Sequence, residues 1–208
     1  DGATHHGLFD LSYLRCVPEV VIMAPANEDE LADMMATGLA YQGAAFIRYP
    51  RGNARGTPIK ETPTPLEIGK AQRLQTGNDI EIWAIGSMVQ DAEQLAARLS
   101  EHGIQAGVVN ARFLKPLDTE LLAQSAPNTR LIVTMEDNVI TGGLGTAVME
   151  ALQEANLYNC PVERIGWPDS FIEHGSSVAQ LREENGLSPN AILERVLAKH
   201  AALCELKQ

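Results

Sequence analysis

The chain has 208 residues, 45% hydrophobic and 5% aromatic, and its 27 acidic against 16 basic side chains give a formal net charge of -11. At roughly 100–200 residues per domain this length predicts one or two domains, with cores that need neither disulfides nor a structural metal. The longest wholly apolar run, Val20 to Ala24, is far short of the roughly 20 residues of a membrane-spanning helix. The acid excess disfavours nucleic acid and anionic lipid as non-specific partners, because both need a positive field.

The N-terminus lacks the basic, apolar, small-residue pattern of an export signal. Cys16, Cys160 and Cys204 are odd in number, widely separated and in no CxxC pair, which predicts buried thiols in a reducing cytoplasm and no structural zinc. Asp1 opens directly on a functional-looking motif without an initiator Met, which predicts a piece of something longer. That motif, Asp1-Gly2-Ala3-Thr4-His5-His6-Gly7, has no helix or strand period and reads as a loop. A loop imidazole is a candidate proton donor or acceptor. Ordinary loop histidines are the alternative, and the spacing is poor for a metal site.

A strand is expected over Val20-Val21-Ile22-Met23, then a helix capped by Asn27 with Glu28, Asp29 and Glu30 in its first turn and Leu31, Met34, Met35 and Leu39 at helical spacing. Ala44 to Tyr49 predicts a second strand and completes half of an open α/β sheet. Pro50 to Pro65, with four prolines and two glycines, is the best linker candidate. It divides the chain into residues 1–64 and 65–208. Beyond it, strands are predicted at Ile80–Ile85, Ile104–Asn110, Arg130–Met135 and Val162–Ile165. Helices are predicted at Ser87–His102, after Pro116 and Asp118, at Gly143–Asn156 and in two C-terminal stretches. Strands separated by such helices imply a mostly parallel, doubly covered sheet, a complete small α/β domain.

Between Asp33 and Glu61 there is no acidic residue, yet Arg48, Arg51, Arg55 and Lys60 fall there. Arg48-Tyr49-Pro50-Arg51-Gly52-Asn53 lies where a strand should end, the end at which open α/β sheets bind ligands. An Arg fork beside a glycine turn suits a phosphate; surface arginines paired with acids elsewhere are the alternative. Gly142-Gly143-Leu144-Gly145-Thr146 opens a helix but fails the dinucleotide fingerprint, since Val148 stands where the third glycine belongs and no P-loop Lys follows. It reads as close packing of a helix start. Glu136-Asp137-Asn138 and His174 stay open between functional and structural roles.

Taken together, the Asp1–Gly7 motif running into Phe9-Asp10-Leu11-Ser12-Tyr13-Leu14-Arg15, the Arg48–Asn53 turn, Arg112-Phe113-Leu114-Lys115-Pro116-Leu117-Asp118 and Gly166-Trp167-Pro168-Asp169-Ser170-Phe171-Ile172 resemble the C-terminal part of the 1-deoxy-D-xylulose-5-phosphate synthases, transketolase-like thiamine-diphosphate enzymes. The resemblance covers essentially the whole chain. It implies an α/β fold in which a partial pyrimidine-binding α/β domain precedes a transketolase C-terminal-type domain with a mostly parallel sheet. It also implies condensation of pyruvate with glyceraldehyde 3-phosphate, with loss of CO2, in a homodimer. By position, His5 faces the reacting carbon, Asp1 holds an acceptor hydroxyl or orients that histidine, Arg51 grips the acceptor phosphate and Arg48 is structural. Thiamine diphosphate and Mg2+ belong to an N-terminal part of the same enzyme, so neither is expected on these residues alone, and the piece by itself is expected to be inactive. A stand-alone, non-catalytic module binding a phosphometabolite or a partner chain through the Arg48–Arg55 patch, or one half of a split enzyme, are the alternatives.

Overall fold

The computed structural model describes residues 2, 4–52, 56–175 and 177–205. After a short helix, α1 (Asp10–Leu14), come β1 (Val21–Met23), α2 (Glu28–Ala40) and β2 (Ala45–Ile47). β1 and β2 pair in parallel, with Val21 opposite Ala45. Every residue of β1 is buried, the continuous apolar pattern of a strand covered on both faces. Asn27 caps α2 as expected, accepting from the Glu30 N–H, and three acids in the first turn complement the helix dipole.

The second sheet has five strands in the order β3 (Gln72–Gln75), β5 (Ala106–Asn110), β4 (Ile80–Ala84), β7 (Leu131–Val139), β8 (Val162–Trp167). β4, β5, β7 and β8 are parallel, while β3 is an antiparallel edge. α3 (Met88–Glu101) and α7 (Pro189–Glu205) cover one face, packing on Ile80, Ile82 and Ala84 of β4. α4 (Thr119–Ser125) and α5 (Leu144–Glu154) cover the other, where Trp83 and Ile85 point. A last short helix, α6 (Val178–Glu184), precedes α7. Leu11, Val20, Ile22 and Ala24 of the first part lie in that same second core, so the two parts share buried apolar surface.

Four expectations change. β3 and β6 (Phe113–Lys115) lie in segments read as connections. β6 leaves the second part to pair antiparallel with β1, and so short a strand carries too little period-2 pattern to be read alone. β7 extends past Met135 to Val139, with Glu136 and Asn138 buried. Of the apolar α2 positions, Met34 is fully buried, but Met35 and Leu39 are exposed. The buried face of α2 instead contains Glu30, Asp33 and Thr37. None of the three cysteines is buried: Cys16 is exposed, and Cys160 and Cys204 are intermediate.

The polar face of α2 has a clear purpose. Residues 56–66, the later part of the proline-rich stretch and the leucine after it, lie along it and spend backbone donors on its side chains. Gly56 N–H donates to Glu28 (2.6 Å), Lys60 N–H to Asp29 (2.8 Å), Thr64 N–H to Asp33 (2.7 Å) and Leu66 N–H to the Thr37 hydroxyl (2.7 Å). A segment without a sheet or helix of its own needs such acceptors.

Candidate functional site

The site is built at the carboxyl end of the large sheet, beside the point where the strand order reverses between β4 and β7. The far end of β7 receives the N-terminal loop: Val139 N–H donates to the Leu8 carbonyl at 2.7 Å. Within the loop, His5 N–H donates to Gly2 O (3.0 Å), and the Thr4 hydroxyl lies 2.8 Å from His5 Nδ1. Gly2 is buried at φ +75°, and a Cβ there would sit 2.2 Å from His174 Nε2. The positive φ favours glycine, and any side chain there would have to displace the His174 ring. His5 itself is exposed, and Asp1 lies outside the described residues.

Arg48, at the end of β2, joins this loop to the turn that carries Arg51. Its Nη2 donates to the carbonyls of Gly7 (2.8 Å) and Asp137 (2.6 Å), and its guanidinium pairs with the carboxylates of Asp10 (3.6 Å) and Asp137 (3.7 Å). Asp137 also accepts from Trp167 Nε1 at 2.8 Å and lies 3.7 Å from Arg182. The side chain of Arg48 is 11% exposed, so it is a crosslink rather than a ligand group. Arg51, three positions on, is exposed. Arg55 lies outside the described residues. Lys60 pairs with Asp29 and Asp33, and hydrogen bonds to Asp33 and Asp29 hold its ammonium above the usual lysine range. The stretch that is acid-free in sequence is therefore not acid-free in space: acids elsewhere answer Arg48 and Lys60.

Gly142–Thr146 is a packing device, as read from the sequence, and the group it packs on is Glu136. Leu144 N–H and Gly145 N–H donate to its two oxygens at 2.7 and 2.9 Å, and a Cβ on Gly143 would lie 1.8 Å from Oε2. The protein's own carboxylate thus fills the N-terminus of α5. Burial pushes the Glu136 carboxyl up to about 7, against the opposing pull of those two N–H groups, Arg164 and Arg15. A folded value above the ordinary 4.5 gives a stabilising contribution that is complete below about pH 4.5 and lost as pH rises through about 7. Between pH 5 and pH 8 the chain should lose about 2 kcal/mol from this group. Denaturant unfolding at both pH values checks this: Glu136→Gln should remove that part of the slope, and parallel slopes in variant and wild type would contradict it.

Among the described residues no group of three or more His, Cys, Asp or Glu side chains could hold a metal ion. With Glu136 taking the Leu144 and Gly145 N–H groups, the α5 N-terminus is closed to a diphosphate. No helix of the described chain is long and apolar enough to cross a membrane. Two features escaped the sequence reading: Arg48 as the link between the histidine loop and the Arg51 turn, and the packing of Phe171–His174 over that loop. The FIEHG run was visible, but its partner residues lie about 165 positions away in sequence, as in the His6–Ile172 contact.

The pattern of the family described as "Transketolase, C-terminal domain" matches residues 69–192, and that of "Transketolase, pyrimidine binding domain" matches residues 1–57. The chain is similar to the 1-deoxy-D-xylulose-5-phosphate synthase of Acidobacterium capsulatum, at 51% identity over 196 residues, covering 94% of this chain and 31% of that protein. It is similar to a Synechococcus protein of the same name at 50% identity over 204 residues, with 97% and 31% covered. The chain therefore spans about 31% of the length of these curated relatives. Among solved structures, a split gene transketolase described as an inactive beta4 tetramer superposes with a TM-score of 0.82 at 34% identity, over 95% of this chain and 63% of that one. A Pichia stipitis transketolase variant, at 19% identity, shares the fold with a TM-score of 0.68 over 97% of this chain and 28% of that one. The chain belongs to the transketolase family, carrying its C-terminal domain and part of its pyrimidine-binding domain, and it matches the C-terminal part of the 1-deoxy-D-xylulose-5-phosphate synthases.

Proposed function

We propose that the chain is the C-terminal third of a 1-deoxy-D-xylulose-5-phosphate synthase, which condenses pyruvate with glyceraldehyde 3-phosphate and releases CO2. The observation that carries this reading is the Arg48 crosslink. In a chain 51% identical to such a synthase, it ties the loop bearing exposed His5 to the turn bearing exposed Arg51. An imidazole and a guanidinium on adjoining segments suit a phosphorylated aldehyde. Arg51 holds the phosphate, and His5 donates a hydrogen bond to the oxygen on which charge develops. Asp1 orients His5 or holds an acceptor hydroxyl. Thiamine diphosphate supplies the acyl-transfer chemistry of this class, and it binds with Mg2+ on the part of the enzyme that precedes these residues.

Residues 1–64 form the tail of the pyrimidine-binding domain and residues 65–208 the C-terminal domain of a cytoplasmic homodimer; the full-length enzyme is active and the isolated chain is not. The full-length protein, given pyruvate, glyceraldehyde 3-phosphate, thiamine diphosphate and Mg2+, should yield 1-deoxy-D-xylulose 5-phosphate, followed by mass spectrometry. Failure of that protein to form the product would overturn the reading. One observation favours a second reading, a split enzyme: the 34% identical structure is named a split gene transketolase. In that case product appears only when a second polypeptide bearing the N-terminal half is added.

A further inference from the structure

We propose that His6, together with Phe171–His174 beyond β8, is a positioning clamp for the loop that presents His5; the proposal rests on His5 being the substrate-facing imidazole. Two adjacent imidazoles meet opposite environments: His5 is exposed, while His6 is half-buried. His6 Nε2 lies 2.8 Å from the Ile172 carbonyl. A carbonyl only accepts, so Nε2 carries the hydrogen and donates it. His6 Nδ1 is buried without a partner among the described residues, so this one bond and the surrounding rings fix the ring plane.

Those rings form a closed triangle. His6 stacks on Phe171 at 6.0 Å and 18°, meets Phe9 edge-on at 5.8 Å, and Phe9 meets Phe171 edge-on at 5.8 Å. Phe171 is 70% exposed, so its ring adds little to the core and its contacts go to the loop. The next residue, Ile172, is 6% exposed within the main core, which makes the carbonyl that receives His6 a fixed point. On the other side of His5, the His174 ring covers Gly2. Gly7 O is held by Arg48 and Leu8 O by Val139 N–H. From His6 to Leu8 the loop is thus tied down, while the His5 side chain is exposed beside the Thr4 hydroxyl. Misplacing a reacting group by about 1 Å can cost on the order of 100-fold in rate, so this is where a clamp has value.

The test uses full-length protein carrying His6→Ala or His6→Gln, with wild type alongside. His6→Ala should lower kcat about 10- to 100-fold while both KM values stay within about threefold, because position is lost and binding groups are kept. His6→Gln keeps an amide donor for the Ile172 carbonyl and should recover most of that loss. The His5 amide should exchange its hydrogen faster in His6→Ala, since its bond to Gly2 O then lies in a loosened loop. A kcat within twofold of wild type in His6→Ala, equal losses in the two variants, or a loss matched by the fall in folded protein would each overturn the clamp. Should wild type form no product, the activity reading falls instead, and the exchange measurement decides the clamp: unchanged exchange at His5 overturns it.

Discussion

Arg51→Ala in the full-length protein is expected to raise the KM for glyceraldehyde 3-phosphate about 30-fold while leaving the KM for pyruvate within about twofold. A guanidinium holds a phosphate through two charge-assisted hydrogen bonds. Arg51 is exposed in this chain, so water offsets part of the gain, and the net loss should be about 2 kcal/mol. Arg51→Lys keeps the charge without the planar fork and should fall between alanine and wild type. Steady-state kinetics with each substrate varied in turn checks the expectation. Equal rises in both KM values would remove the phosphate role.

Arg48→Met should cost the chain about 1–3 kcal/mol of unfolding free energy, the usual penalty for leaving partly buried acceptors without their donor. The reason lies in what is left behind. Asp10 and Asp137 lose their shared counter-charge, and the carbonyls of Gly7 and Asp137 lose a donor. Asp137 keeps the Trp167 N–H and the more distant Arg182, which limits the damage on that side. Denaturant titration measures the loss, and a change below about 1 kcal/mol, the scale of an exposed pair, would show that Arg48 is not the crosslink described. Arg48 and Arg51 thus separate cleanly: one should appear in stability, the other in a single substrate's KM.

Local patterns were the parts of the fold most legible in the sequence. Asn27 with three following acids marked the start of α2, and the buried run Ile80–Ala84 marked a central strand, because caps and burial leave their imprint on neighbouring residues. Gly142–Thr146 was legible as packing, though the identity of its filler, Glu136, was not. What stayed hidden depended on distant pairs. β6 has meaning only against β1, and the polar buried face of α2 only against residues 56–66. At the candidate site the residue types His5 and Arg51 could be picked from spacing and resemblance. Arg48 as their connector and His6 as an anchor could not, since Gly7 and Asp137 in one case and Ile172 in the other are brought near by the tertiary fold alone. Cysteine burial was not legible either, because number and spacing do not fix where a side chain lies, and Cys16 lies on an exposed segment just after α1.

The division of labour, with acceptor recognition on this chain and the cofactor held elsewhere in the enzyme, is tested most directly by calorimetric titration of thiamine diphosphate with Mg2+ into the isolated 208-residue chain and, in parallel, into the full-length protein. Saturable binding is expected in the full-length protein, and no saturable heat in the micromolar range from the chain alone. Micromolar binding by the isolated chain would contradict it.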